Sequence, residues 1–163
     1  MRKILCTCAL AVGTLLLSTS SAFAQTVTMV ATLNGGEETP ALVLTGAVGT
    51  VEASIDVANK EVAVTLRVFN IPADSPTTAG HFHVGPKAVG GPVVLDFPAT
   101  IAGRTGDFTM TFRLGAASFR ARPEVGINTI DDMIQAMTAG NAYANVHTTR
   151  FPGGEIRGQL TLP

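Results

Sequence analysis

Cysteine is almost missing from this chain of 163 residues, which has two, Cys6 and Cys8, both close to its start. Charged residues make up only 14 %, tryptophan is absent and tyrosine occurs once. No run of Lys and Arg and no aromatic ladder exists to grip a phosphate backbone, so nucleic acid is excluded as a partner. Catalytic signatures are equally thin. No serine stands in Gly-x-Ser-x-Gly, no cysteine follows residue 24, and the turns Gly85-Pro86 and Gly90-Gly91-Pro92 precede no helix that would make a phosphate cradle. An enzyme is not expected.

The chain opens Met1-Arg2-Lys3, continues with an apolar stretch over 4–17 and reaches Ala22-Phe23-Ala24, the layout of a secretory signal peptide cut after Ala24. Thr7, Gly13 and Thr14 interrupt the apolar stretch, which is short for a bilayer span. One domain over 25–163 is therefore expected, exported to a periplasm or to the extracellular space, with no stable membrane insertion and no disulfide. Cys6 and Cys8 sit too near the start to anchor a lipid. Without Arg2 and Lys3 the formal charge moves from −1 to about −3.

Beyond residue 25 the pattern is short β-rich runs punctuated by Gly, Pro, Asn and Asp, which predicts an antiparallel sandwich or barrel. Strands are expected over 26–33, 47–55, 62–69, 80–84, 92–97, 107–114, 142–148 and 155–162. Val51, Ala53 and Ile55 alternate with Glu52 and Ser54, and Val62, Val64 and Leu66 alternate with Ala63, Thr65 and Arg67, so one face is buried and one is wet. A hairpin loop over 56–60 joins these two strands. Asn128 or Thr129 caps a helix over 130–138, where Asp131 and Asp132 suit the first turn and Gly140 stops the helix. Its Met133 and Met137, at helical spacing with Ile130 and Ile134, read as core packing rather than a copper relay. Residues 71–76 read as a rigid surface loop.

All three histidines lie in two of these strands, Gly80-His81-Phe82-His83-Val84-Gly85 and Asn145-Val146-His147-Thr148. Side chains two apart on a strand point the same way, so His81 and His83 project together and His147 can join them from a second strand. Neutral imidazoles in that arrangement suit copper or zinc, with Asp96, Glu37, Glu38 or Glu155 as candidate further ligands. The other reading is that these rings only hydrogen-bond to neighbouring carbonyls and carboxylates. Both stay open on the residues alone.

Tyr143, Asn145 and His147 share one face of their strand, while Ala142, Ala144 and Val146 share the other and should meet the core. Phe151-Pro152-Gly153-Gly154 reverses the chain, so the last strand should pair with this one and set Glu155 and Arg157 on its polar side, fixing the hairpin by charge-assisted hydrogen bonds. Asn145, Tyr143 or Glu155 would stand behind the metal ligands. Gly35-Gly36-Glu37-Glu38-Thr39-Pro40 reads as a solvated turn whose carboxylates can also receive an arginine or a cation.

Read together, Leu33-Asn34-Gly35-Gly36-Glu37-Glu38-Thr39-Pro40, Ala79-Gly80-His81-Phe82-His83-Val84-Gly85, Gly91-Pro92-Val93-Val94, and Tyr143-Ala144-Asn145-Val146-His147-Thr148 through Phe151-Pro152-Gly153-Gly154-Glu155-Ile156-Arg157-Gly158-Gln159-Leu160 resemble the CHRD domain, the module named after chordin. The resemblance spans about 26–162. Phe82 stands where the family often has isoleucine, and Ala144 where it often has valine. The resemblance implies an antiparallel Greek-key β-sandwich, immunoglobulin-like or superoxide-dismutase-like, with His81, His83 and His147 on the family's histidine positions and no catalytic residues. It also implies an exported protein, since the family includes bacterial exported proteins and repeats in an extracellular antagonist of growth factors. A metal ion, copper or zinc, and an unidentified protein are the partners to expect. Copper-zinc superoxide dismutase needs more imidazoles than three and a disulfide, which argues against dismutase activity.

Overall fold

Alternation of β-branched and polar residues builds the sheet strand by strand. The computed structural model describes residues 26–163, and the expected signal segment lies outside the described residues. The strands are β1 (Thr26–Asn34), β2 (Val48–Asp56), β3 (Glu61–Ile71), β4 (Thr77–Val84), β5 (Val93–Asp96), β6 (Gly106–Leu114), β7 (Ala142–Thr148) and β8 (Ile156–Gln159), with one α-helix, α1 (Ile130–Thr138). β2 and β3 pair from Val48↔Phe69 to Asp56↔Glu61, and Asp56 holds their turn by accepting the Asn59 N–H at 2.9 Å. Val51, Ala53, Ile55, Val62, Val64 and Leu66 are all buried, as their alternation predicts. Each buried Val, Ile or Leu stabilises by about 1.5–3 kcal/mol.

The antiparallel all-β architecture with one short helix agrees with the sequence reading. The strand order is β5-β4-β7-β8-β1-β2-β3-β6 in one continuous sheet. Its two four-stranded halves meet through a thin seam, the pair Asn34↔Arg157 between β1 and β8 and the bridge Val30↔Thr161. Curling brings the outer strands back together: Phe97, just after β5, packs against Phe112 of edge strand β6 with ring centroids 5.0 Å apart. The apolar face thereby closes on itself.

The β6–β7 connection carries α1, whose N-terminus is a capping box: Thr129 Oγ1 accepts the Asp132 N–H, and Asp132 accepts the Thr129 N–H at 2.8 Å. Met133, Ile134 and Met137 are buried, so the methionines are core. No helix among the described residues is long and apolar enough to cross a membrane.

The second half of the sheet departs from expectation on its outer face. Tyr143, Asn145 and Arg157 point away from the core yet are buried, because the segments 35–46, 85–92 and 150–155 fold over them. Two glycines permit this closeness. A Cβ at Gly91 would stand 1.7 Å from Val84 O, and one at Gly154 would stand 2.4 Å from Asn145 Nδ2, on a backbone with φ +132°. Residues 71–76 are likewise not all at the surface: Ser75 is fully buried and its hydroxyl donates to Thr148 Oγ1 at 3.1 Å.

Candidate metal centre

β4 and β7 are direct neighbours, paired antiparallel with Ala79↔His147, His81↔Asn145 and His83↔Tyr143, and this register brings His147 to the row that carries His81 and His83. One ring nitrogen from each histidine lies within 4.8 Å of the other two, and His81 Nδ1 stands 3.0 Å from His147 Nε2. The far side of two rings is held by carbonyls, and that of the third faces a carboxylate. His83 Nδ1 meets Gly91 O at 2.9 Å, His147 Nδ1 meets Pro152 O at 2.9 Å, and His81 Nε2 faces Asp96 Oδ1 at 3.6 Å. A carbonyl accepts only from N–H, so His83 and His147 keep their protons on Nδ1 and carry a lone pair on Nε2.

Burial makes these imidazoles poor bases. It pushes His81 down to about 4, helped by the neighbouring His147, and it pushes His83 down to about 4 against the opposing pull of the Gly91 carbonyl. His147 is lowered for the same reason. All three are neutral at pH 7, the form that can ligate.

Tyr143 organises the neighbourhood. β7 runs between β4 and β8, so its ring stacks on His83 at 4.7 Å and 9°, and the Arg157 guanidinium carbon lies 3.4 Å from the same ring's centroid. Its hydroxyl accepts the Gly91 N–H at 3.0 Å and donates to Gly91 O at 3.1 Å. Arg157 donates onward to Thr39 Oγ1 at 2.5 Å and Val89 O at 2.8 Å.

Residues 29–160 match the CHRD domain. The chain belongs to the CHRD family. Comparison with curated proteins and with solved structures finds no match. The match takes in all three histidines and both loops whose carbonyls hold them.

Within this CHRD domain the candidate carboxylates have diverged in role. Glu37 pairs at the surface with Lys87 at 3.4 Å. Asp96 stands behind His81 and is held by Arg120 at 2.5 Å. Glu38 is no solvated turn residue: it is buried at 7 % exposure, accepts Asn145 Nδ2–H at 2.7 Å, and is raised by desolvation to about 7 although Arg157 pulls it down. Glu155 does not pair with Arg157. Fully buried, it accepts from Thr45 Oγ1 and Thr148 Oγ1, each at 2.6 Å, and so anchors the 150–155 turn rather than backing the histidines. The Gly91 and Pro152 carbonyls escape sequence reasoning, because a main-chain acceptor has no residue signature.

Proposed function

We propose that this CHRD protein is an exported, non-enzymatic module that holds one transition-metal ion, copper or zinc, on His81, His83 and His147. The observation that carries the reading is the double set of contacts: three nitrogens converge while each opposite nitrogen faces a carbonyl or a carboxylate, the outer arrangement that metal-bound imidazoles use to fix tautomer and aim. His83 Nε2 is buried with no hydrogen-bond partner, a lone pair that a cation would satisfy. Tetrahedral zinc with Zn–N bonds of about 2.0–2.1 Å sets ligand nitrogens about 3.3 Å apart. The His81–His147 pair stands at 3.0 Å and needs to open slightly, while His83, within 4.8 Å of both, needs an inward pivot. With His81 carrying its proton on Nε2 toward Asp96, all three lone pairs are free. The donor set is purely nitrogen, which suits zinc and copper better than calcium or magnesium. Titration with Zn(II) or Cu(II) against a competing chelator should show one equivalent bound with Kd below about 10 μM, and His147→Ala should weaken it at least about tenfold. Weaker binding, or an unchanged affinity in the variant, sinks the reading.

A second reading, a protein-interaction module independent of metal, draws support from the exposed apolar side chains Leu42, Leu44, Val48 and Phe69. It predicts capture of a partner that survives chelator and is lost in Leu44→Asp.

A further inference from the structure

Beside the histidines lies a cavity of about 340 Å³ whose walls include Glu38, Thr39, His83, Tyr143, Asn145 and Arg157. That volume suits a small ligand. Its walls make two unmet demands. Three buried side-chain atoms among the described residues lack a hydrogen-bond partner, and two of them, His83 Nε2 and Asn145 Oδ1, belong to this cavity's lining. Both are acceptors, so each asks for a donor. Asn145 cannot turn to relieve this, because its Nδ2–H is committed to Glu38 Oε1 at 2.7 Å and Gly154 packs against the pair. The opposite demand comes from Arg157. It is 2 % exposed, yet it forms none of the ion pairs found among the described residues, and only two of its five N–H groups are placed, on Thr39 and Val89. The Glu38 carboxylate on the same wall feels the Arg157 charge but makes no contact ion pair with it, so the buried guanidinium keeps N–H groups open to an anion.

We infer that this cavity binds a small carboxylate bearing a hydroxyl or amino group on the adjacent carbon, with the carboxylate against Arg157 and the donor against Asn145 Oδ1. An amino group gains further from the Glu38 carboxylate. The site goes beyond the metal reading and stands without it, since Arg157, Asn145 and Glu38 are not among the ligands.

Calorimetry on the purified protein at pH 8, chelator-treated and zinc-loaded, with glycine, glycolate, acetate and methoxyacetate is the test. Glycine or glycolate should bind the chelator-treated protein at least about tenfold more tightly than acetate or methoxyacetate, because the analogues leave Asn145 Oδ1 unpaired. Glu38→Gln should weaken glycine at least about fivefold and leave glycolate as tight or tighter. Equal affinities, no binding, or a glycine affinity untouched by Glu38→Gln overturns the subsite. Methoxyacetate matching glycolate only when zinc is present also overturns it, since that pattern is chelation by the ion. A preference for glycolate in protein that takes up no zinc upholds the cavity and sinks the metal reading. Zinc uptake without any ligand preference does the reverse.

Discussion

His81 Nδ1 lies 3.0 Å from His147 Nε2 although 66 residues separate the two in the chain. Two imidazole nitrogens that close share one proton or one cation, and the choice between them governs how the domain responds to pH and to metal.

Without metal, the three histidines should make stability fall in acid. Their folded pKa values lie below the ordinary 6.5, with His81 and His83 near 4. Between 6.5 and 4 the unfolded chain therefore binds protons that the folded one refuses, so stability is complete above 6.5 and is lost as pH drops toward 4. Urea midpoints of chelator-treated protein should decline steadily from pH 6.5 to 4.5. The His83→Gln variant should show a shallower decline, and a slope equal to that of the parent would contradict the burial argument.

Glu38 works with the opposite sign. Its carboxyl is raised from 4.5 to about 7, so the folded state holds a proton that the unfolded state has released, and the stability this brings is present below 4.5 and lost as pH rises through 7. Glu38→Gln keeps an acceptor for Asn145 and removes the titration. Relative to the parent, the variant should gain stability at pH 8 over its standing at pH 5, as read from paired denaturation curves.

Adjacent glycines should differ sharply. Gly154→Ala places a Cβ 2.4 Å from Asn145 Nδ2 and 2.7 Å from Glu38 Oε1 at φ +132°, and is expected to cost about 2 kcal/mol or more. Gly153→Ala meets nothing within 4 Å and should stay within about 0.5 kcal/mol. Thermal and urea unfolding of the two variants gives the comparison directly.

Thr148→Val probes the buried anchor of the same turn. Thr148 Oγ1 donates to Glu155 Oε2 at 2.6 Å and accepts from Ser75, so its loss strips one hydroxyl from a fully buried carboxylate. A destabilisation of about 1–3 kcal/mol is expected, together with weaker metal uptake because Pro152 O then loses its fixed position behind His147. Zinc affinity equal to the parent's would show that the turn holds its place without this bond.

Element positions were legible to within three residues: β7 (Ala142–Thr148) and α1 (Ile130–Thr138) coincide with their predicted spans, β3 runs two residues past its expected end, β4 begins three residues early and β8 ends three residues short. Periodicity reports which side of a strand meets apolar packing, and that is enough to place Val51, Val64 or Ala144 in the core. It says nothing of what covers the other side. Tyr143, Asn145 and Arg157 alternate like solvent-facing residues, yet loops close over them and turn a wet face into a buried polar layer. Glu38, in a Gly-rich segment, reads as solvated until loops fold onto it, whereas Glu155 reads as the partner of Arg157 and is instead fully buried on the hydroxyls of Thr45 and Thr148, which no local pattern marks.

The amino-acid order alone settled the strands, the capped helix, the shared direction of His81 and His83 and the CHRD motif, because each depends on near neighbours along the chain or on a linear pattern. Register between β4 and β7, the carbonyls behind the rings and the pairing of Glu38 with Asn145 were decided only in three dimensions. Those contacts join segments far apart in sequence through main-chain atoms and burial, and neither leaves a mark in the identity of a residue.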